Sequence, residues 1–487
     1  MDMSVETATS PLRQAAADAG RLSPIVLSGI VAMIEALLTL GTGFAVYSLY
    51  LDNPSANDLA QYTLAIVLAT QLQVATFAGA RLYEIAEFRR PLRIAGRILF
   101  FWTCVFMALM VLAFLTKMGE EFSRVWLAAW FASGYAAIIL LRGVLSVLVR
   151  RWTREGRLER RVVIVGADER AAKLIDALEA SPDSDIRISG LFDDRAGRVP
   201  DRVRGYPVLG SVKALVEFAR RRRVDLLIVT LPFAAENRIL EMVKQLYVLP
   251  VDIRLSAHTN ALRFAPHSYS YVGEVPMLAV SNRPVADWGY VLKAIEDRVL
   301  ATLFLLIGLP IFAVIGALIK LDSNGPVFFK QKRYGFNNEL IEVYKFRTLR
   351  QDMTDHNAER LVTADDPRVT RIGKFLRRTS LDELPQLISV LKGHMSIVGP
   401  RPHATAAKAG SRLYQEVVDG YYARHRVKPG ITGWAQINGW RGETDTEEKI
   451  MRRTEHDLHY IDNWSIWLDL YIVARTPLAL IRGLNAY

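Results

Sequence analysis

Four long apolar stretches occupy the first third of the chain and constrain its fold more than any other feature. They run from about 25 to 50, 60 to 80, 98 to 116 and 125 to 148, and each is long enough to cross a bilayer as a helix. The chain is 51% hydrophobic over 487 residues, which is more apolar than an ordinary soluble enzyme. The sequence therefore predicts an N-terminal four-helix transmembrane bundle at 23–150, preceded by a polar cytoplasmic tail at 1–22.

Arginines indicate the orientation of this bundle. The loop between the second and third stretches contains Arg81, Arg89, Arg90, Arg93 and Arg97. The segment after the fourth stretch contains Arg150, Arg151, Arg154, Arg157, Arg160 and Arg161. Because cationic loops stay on the cytoplasmic side, we expect a multi-pass membrane protein with both termini in the cytoplasm. The net charge of +11 then favours anionic lipid head groups as partners, and no nucleic acid is expected.

Two residues inside the apolar stretches need comment. Glu35 is acidic, and an acid within a membrane span is a functional candidate; the alternative is that it faces the bundle and bonds a neighbour such as Gln71 or Thr42. Cys104 is the single cysteine, so an intramolecular disulfide is excluded.

The middle of the chain changes to short apolar runs that alternate with amphipathic segments. After a basic juxtamembrane linker at 151–161, this rhythm predicts parallel βαβ units and a Rossmann-like α/β domain at 162–260, followed by a linker at 261–287. Asp168 and Ala171 occupy the later glycine positions of a dinucleotide-binding fingerprint. Because an acid there would repel a pyrophosphate, we expect no redox chemistry in this domain.

Chemistry-bearing residues concentrate near the C-terminus. Asp382 and Glu383 are adjacent carboxylates surrounded in the sequence by cationic motifs. The cations are Lys345, Arg347, Arg377, Arg378, Arg401 and His403. So many cations would be costly to bury without an anionic ligand, and paired carboxylates suit Mg²⁺. The segment therefore favours a magnesium-dependent reaction at a phosphate.

A structural alternative exists for the acidic pair. Ser380 and Glu383 have the spacing of a capping box at the start of an amphipathic helix, which would need no catalysis. On the catalytic interpretation, the helix N-terminus and the nearby arginines keep Asp382 ionised as a nucleophile.

Several long motifs resemble the bacterial sugar transferases, which are monotopic phosphoglycosyl transferases. They are Tyr344-Lys-Phe-Arg-Thr348, Thr379-Ser-Leu-Asp-Glu-Leu-Pro-Gln386, Ser396-Ile-Val-Gly-Pro-Arg-Pro402 and Lys428-Pro-Gly-Ile-Thr-Gly-Trp-Ala-Gln436. The resemblance covers about 290–487 and implies a catalytic α/β domain at 288–487. It also implies that Asp382 is a nucleophile, that Glu383 helps to bind Mg²⁺, and that the substrates are a UDP-sugar and undecaprenyl phosphate.

The resemblance is strongest to the branch that transfers glucose 1-phosphate from UDP-glucose to undecaprenyl phosphate at the start of exopolysaccharide or capsule synthesis. UDP-galactose and N-acetylated UDP-sugars stay open as donors. A non-catalytic membrane scaffold for polysaccharide assembly is the alternative from another class, although the intact acidic pair counts against it. A homodimer is also left open.

Other residues are expected at the substrate. Lys345 and Arg347 lie two apart on a strand and should both face a phosphate. Arg401, held between two prolines, can grip a phosphate with its guanidinium, and His403 can add a donor. Arg377 and Arg378 complete the expected substrate-binding cations. The resemblance adds Asp457 and Asp469 as acids of the site.

A fifth apolar run, at 299–319, has Pro310 near its centre. A full crossing would carry the basic catalytic segment to the outer face, against the positive-inside tendency. Because proline breaks a helical hydrogen bond, we expect a re-entrant helix that bends at Pro310 and returns to the cytoplasmic face. The resemblance implies the same; a proline-kinked spanning helix is the alternative.

Overall fold

The computed structural model describes residues 23–50, 56–89, 91–118, 121–180, 186–195, 197–232, 235–256, 270–272, 275–351, 366–403, 408–409, 412–442 and 446–481. The predicted tail at 1–22 and much of the predicted linker at 261–287 therefore lie outside the described residues. The chain divides into two compact units, 1–159 and 160–487.

The first unit is built from long apolar helices. They are α1 (Pro24–Tyr50), α2 (Ala56–Gly79), α4 (Pro91–Leu115) and α5 (Arg124–Arg154), with a short α3 (Ile85–Phe88). Helix α1 packs against α2 and α5, and α4 packs against the same two helices. Their core contains Trp102, Trp126 and Trp130, all fully buried. Glycines make room for these rings, since a Cβ on Gly134 would lie 2.7 Å from the Trp102 ring.

The outer surfaces of these helices are apolar. In the described residues, five helices are long and apolar enough to cross a membrane, four in this unit and one in the second. Exposed leucines, valines and phenylalanines on their outer faces would be unfavourable in water and suit a hydrocarbon environment. The chain is therefore a membrane protein. Helix α5 continues to Arg154, beyond the predicted end of the bundle at 150.

A buried ion pair joins two helices of this unit. Arg142 of α5 donates from Nε and Nη2 to the two carboxylate oxygens of Glu35 on α1, at 2.6 and 3.1 Å. Its Nη1 donates to the carbonyl of Leu82 at 2.9 Å. The expectation that Glu35 bonds Gln71 or Thr42 was wrong. In a buried site, the positive charge of Arg142, 107 residues away in the sequence, stabilises the Glu35 carboxylate better than an amide or a hydroxyl would.

We predict that Arg142→Leu destabilises the first unit strongly, because it leaves Glu35 buried without a countercharge. The expected loss is about 3–5 kcal/mol of unfolding free energy, measured by denaturation of the detergent-solubilised protein. The double variant Glu35→Leu with Arg142→Leu removes both charges and should recover most of that loss. A double variant as unstable as the single one would contradict this account.

The second unit begins with a six-stranded sheet. Its strands are β1 (Arg160–Val165), β2 (Ile186–Phe192), β5 (Leu226–Val229), β6 (Asp252–Ser256), β7 (Ser270–Val272) and β8 (Val275–Ser281). The helices are α6 (Glu169–Glu179), α7 (Val212–Arg221) and α8 (Glu236–Leu246), and a small hairpin comprises β3 (Arg202–Val203) and β4 (Tyr206–Pro207). The strand order is β2-β1-β5-β6-β8-β7.

The parallel part of this sheet agrees with the predicted βαβ rhythm. Strands β2, β1, β5 and β6 are parallel neighbours, and separate apolar clusters cover the two faces of the sheet. Strands β8 and β7 add an antiparallel edge, so the domain extends beyond the predicted boundary at 260. An antiparallel hairpin needs no crossover helix, and the βαβ pattern therefore does not reveal it.

The C-terminal part starts with one 36-residue helix, α9 (Asp287–Asp322), that contains Pro310. It continues with β9 (Phe328–Tyr334), β10 (Leu340–Phe346), α10 (Arg371–Thr379), α11 (Gln386–Leu391), β11 (Ser396–Val398), β12 (Lys408–Ala409) and β13 (Arg412–Leu413). The last elements are α12 (Tyr414–Val417), β14 (Gly430–Thr432), α13 (Trp434–Ile437), α14 (Glu447–Asp462) and α15 (Ile466–Ile481). Strands β9 and β10 form an antiparallel pair, and β11 pairs with β14 in parallel.

Both ends of α9 are fastened to this C-terminal part. Near its start, Asp297 accepts from the Ser396 hydroxyl at 2.8 Å and from the Ile397 amide at 2.9 Å. At its end, Asp322 accepts from the Ile372 amide at 3.0 Å. Between these ends the helix is exposed, and Leu306 is 68% accessible. The middle of α9 is therefore an apolar projection that is held at both ends by polar bonds.

Candidate active site

The acidic pair lies in a short 3-10 turn, Leu381–Glu383, between α10 and α11. Asp382 and Glu383 are 8% and 9% exposed, so each needs compensation for lost hydration. Ser380 precedes the turn in the left-handed conformation, with φ of 59°, and it thereby ends α10 and redirects the chain.

The capping-box interpretation of this segment is wrong. The Ser380 amide donates to the Arg377 carbonyl at 3.1 Å, and the Ser380 side chain makes no cap but accepts a hydrogen bond from Arg441. Glu383 does not reach back to Ser380; its carboxylate bonds Lys345 and Arg401. Both carboxylates thus face a cationic site, and neither caps a helix.

Lys345 and Arg401 are the direct partners of the pair. The ammonium of Lys345, on β10, lies 2.9 Å from Glu383 Oε1 and 3.9 Å from Asp382 Oδ2. The Arg401 guanidinium grips the Glu383 carboxylate with two nitrogens, Nη1 lying 2.7 Å from Oε2. Glu383 is therefore fixed on both oxygens, whereas Asp382 keeps the looser partner.

This asymmetry separates the two pKa values. Burial raises the pKa of Asp382, and although Lys345 opposes this, the charge of Glu383 adds to it. Burial also acts on Glu383, but Arg401 and Lys345 outweigh it and hold its pKa well below the usual range. The helix-terminus argument for a low Asp382 pKa fails because burial and a neighbouring carboxylate dominate.

Further cations surround the pair at longer range. Arg377 donates from Nε to the Thr348 hydroxyl at 3.0 Å, and its charge lowers the pKa of Asp382. Arg378, the next residue, is exposed on α10. The structure therefore brings Arg377 towards Asp382, and Arg378 is on the surface of the same helix.

His403 and Asp457 belong to a buried layer behind Arg401. Arg424 donates from Nη2 to Asp457 Oδ2 at 2.6 Å and to the Arg401 carbonyl at 2.8 Å. His403 Nδ1 lies 2.6 Å from the hydroxyl of Tyr421. Burial and the charge of Arg424 hold the His403 pKa well below its usual range, so the imidazole is neutral near pH 7. Asp457 acts here as the partner of Arg424.

Two expected substrate residues lie elsewhere. Arg347 does not share a phosphate-facing site with Lys345: its Nη2 donates to the Ser323 carbonyl at 2.7 Å, and its Nη1 donates to the Asn324 carbonyl. It therefore binds the C-terminus of α9, where carbonyl oxygens lack helical partners. Asp469 accepts from the ammonium of Lys293 at 2.6 Å and from the hydroxyl of Tyr460 at 2.7 Å, in a cluster that holds the start of α9.

Three arginines near the site were not expected from the sequence. Arg424 Nη1 lies 2.5 Å from His403 Nδ1, Arg441 donates to the Ser380 hydroxyl, and Arg333 of β9 donates to the Pro402 carbonyl at 2.9 Å. Arg441 lies in the segment Gly439-Trp-Arg-Gly-Glu-Thr-Asp-Thr446, which also resembles the bacterial sugar transferases, and this resemblance is the signal for it in the sequence. Arg333 and Arg424 are ordinary basic residues in sequence, and only the packing places them at Arg401.

The pair is compatible with a divalent cation that is shared with phosphate oxygens. No group of three or more His, Cys, Asp or Glu that could hold a metal occurs among the described residues. Mg²⁺ is commonly held by one or two carboxylates, with substrate phosphates and water completing its shell. Asp382 and Glu383 are such a donor set, and Asp382 is the less engaged carboxylate.

These features define a membrane protein with a buried carboxylate pair in a cationic environment. The bacterial sugar transferase family model matches residues 288–483, and the model of a CoA-binding domain matches residues 80–257. The chain belongs to the bacterial sugar transferase family.

Named relatives support this assignment. A UDP-glucose:undecaprenyl-phosphate glucose-1-phosphate transferase of Xanthomonas campestris pv. campestris is 34% identical over 79% of this chain and 79% of its own. An Escherichia coli (strain K12) protein of the same name is 38% identical over 72% of this chain and 74% of its own. An undecaprenyl-phosphate glucose phosphotransferase of Komagataeibacter xylinus is 38% identical over 74% of this chain, and the match spans 66% of that relative.

Proposed function

We propose that this protein transfers glucose 1-phosphate from UDP-glucose to undecaprenyl phosphate, which initiates an exopolysaccharide or capsule repeat unit. The observation that supports it most is the asymmetric pair. Glu383 is fixed by Arg401 and Lys345, whereas Asp382 has, among the described residues, a single ion-pair partner at 3.9 Å. One carboxylate is thus held in place and the other is available to react. The names of relatives that share about a third of their residues supply the substrates.

In the first half-reaction, a carboxylate oxygen of Asp382 attacks the phosphorus that bears the sugar. The bond from this phosphorus to the bridging oxygen breaks, and UMP leaves with the bonding electrons. The product is an acyl phosphate that links Asp382 to glucose 1-phosphate. Lys345 and Arg377, which both act on the pKa of Asp382, can stabilise the negative charge that builds on the phosphoryl oxygens.

In the second half-reaction, a phosphate oxygen of undecaprenyl phosphate attacks the same phosphorus. The acyl phosphate bond breaks, Asp382 regains its carboxylate, and the sugar becomes joined to the lipid through a diphosphate. No external base is required, because the attacking lipid phosphate is already ionised near neutral pH. Mg²⁺ bound by Asp382 or Glu383 together with the diphosphate would offset repulsion between the anionic groups.

The contacts of helix α9 support a position of the active site at the membrane surface. If straight, the 26 residues from Asp297 to Asp322 would span about 38 Å, enough to cross a hydrocarbon core of about 30 Å. Both ends nevertheless bind the same C-terminal domain. This favours a re-entrant helix, bent at Pro310, whose apolar middle enters one leaflet. The arginine-rich loops of the first unit then favour the cytoplasmic side for the active site.

The proposed reaction is tested by UMP release. Detergent-solubilised protein with Mg²⁺ and undecaprenyl phosphate should release UMP from UDP-glucose, and EDTA should stop the release. Asp382→Asn should reduce the rate by at least about 10³-fold, since it removes the nucleophile, and should form no acyl phosphate by intact-protein mass spectrometry.

UDP-galactose and the N-acetylated UDP-sugars serve as competing donors in this assay. Preference for one of them would change the sugar and leave the reaction type intact. No release from any donor, with protein shown to be folded, would favour a scaffold that organises polysaccharide assembly.

The pKa of Asp382 predicts a pH dependence. Because only the ionised carboxylate attacks, activity should fall as the pH drops through the Asp382 pKa, which lies above the usual aspartate value. Lys345→Met removes a charge that lowers this pKa, so its acid limb should move to higher pH. Lys330→Met on the exposed face of β9 is the control. An acid limb that Lys345→Met leaves in place would refute this assignment.

Cysteine labelling tests the path of α9. In a Cys104→Ala background, Ala286→Cys and Asn324→Cys place single thiols at exposed positions beside the two ends of α9. Both should react with an impermeant maleimide only in inverted vesicles, whereas Asn57→Cys in the first turn of α2 should react only in spheroplasts. Reaction of the two α9 sites from opposite sides would indicate a spanning helix.

A further inference from the structure

Arg453 is a buried arginine whose charge is poorly compensated. It lies on α14 and is 2% exposed, and its Nε and Nη2 have no hydrogen-bond partner among the described residues. A guanidinium that is removed from water without hydrogen bonds is strongly disfavoured. Such a side chain therefore requires an anion, and the described residues leave these two nitrogens without one.

The carboxylate of Asp457 does not meet this requirement. Asp457 lies one helical turn after Arg453, but its Oδ2 is engaged by Arg424 at 2.6 Å. The pKa of Arg453 is lowered to about 10, chiefly by burial; Asp457 opposes this shift, and the charges of Arg424 and Arg401 add to it. Cations thus outnumber acids around Arg453.

The same excess of positive charge extends to the acidic pair through Arg401. Arg333 of β9 donates to the Pro402 carbonyl, and burial together with Arg401 lowers its pKa to about 10. Arg401 itself holds Glu383. Arg453, Arg333 and Arg401 therefore form one electrostatically coupled group that begins at the reacting carboxylates and continues behind them.

We propose that Arg453, together with Arg333 and Arg401, forms a second phosphate-binding subsite beside the Asp382–Glu383 pair. The inference rests on the proposed function for the source of the phosphate, because each substrate brings one phosphate besides the group that is transferred. In UDP-glucose this further phosphate is the nucleoside phosphate that leaves as UMP. In the polyprenyl phosphate it is the head group. A planar guanidinium with free N–H groups matches either phosphate.

Binding measurements test the subsite without turnover. The probes are UMP and inorganic phosphate, titrated calorimetrically into the full-length detergent-solubilised protein. Arg453→Met should weaken binding of at least one probe by about 10- to 100-fold, the usual effect of losing a charge-assisted hydrogen bond. Arg453→Lys keeps the charge and should recover part of the affinity. Arg452→Met is the matched control, since its side chain is on the exposed face of the same helix.

Half-reaction kinetics distinguish the two sources. If the subsite holds the nucleoside phosphate, Arg453→Met raises the KM for UDP-glucose and weakens UMP binding, and lipid transfer from the preformed intermediate is unchanged. If it holds the lipid head group, the covalent intermediate forms normally and the KM for undecaprenyl phosphate rises. Both results support a phosphate subsite.

Unchanged affinity for both probes and unchanged KM values in folded Arg453→Met protein would overturn the proposal. So would a loss of thermal stability with normal affinity in the folded fraction, because that describes a structural arginine. Failure of the transfer reaction is a separate result: wild-type protein would then release no UMP from UDP-glucose, while the dependence of phosphate binding on Arg453 could still be measured.

Discussion

The site depends on the pairing of the Glu383 carboxylate with two cations, Lys345 and Arg401. Lys345 comes from β10, Arg401 from the loop after β11, and Glu383 from the turn between α10 and α11. One buried carboxylate thus joins three segments that are distant in sequence. It also lowers the cost of burying both cations, since a paired and hydrogen-bonded charge is tolerated where an isolated one is not. Asp382 takes its position from this arrangement.

Charge compensation differs between the two units. In the first, Arg142 and Glu35 satisfy each other with two hydrogen bonds, and the Leu82 carbonyl takes a third. That pair leaves no demand for a ligand. Among the described residues around Arg401 in the second unit, arginines exceed carboxylates, and Arg453 has two nitrogens without a hydrogen-bond partner. Buried polar groups are normally satisfied, so the unmet demand points to where anionic substrates bind.

Helix α9 is the long apolar helix of the domain that carries this site. Arg347, which the sequence assigned to phosphate, instead binds carbonyls at the C-terminal end of α9, and Asp469 helps to fasten its start through Lys293. These two residues anchor the apolar projection to the domain that carries Asp382. Their buried polar contacts explain why family motifs can contain charged residues that lie away from the acidic pair.

The sequence by itself determined the apolar helices, the parallel βαβ rhythm and the position of the acidic pair, because these depend on local periodicity and on residue types that are close together in the chain. Lys345 and Arg401, two of the cations that the sequence grouped with the acidic pair, bond Glu383; their predicted role at a phosphate stays a prediction. Tertiary structure decided which charges meet: Glu35 with Arg142, Arg347 with the end of α9, and Arg453 with the group around Arg401. The physical reason is that a buried charge is paired by whichever element packs against it, and that neighbour is set by the fold and not by spacing along the chain.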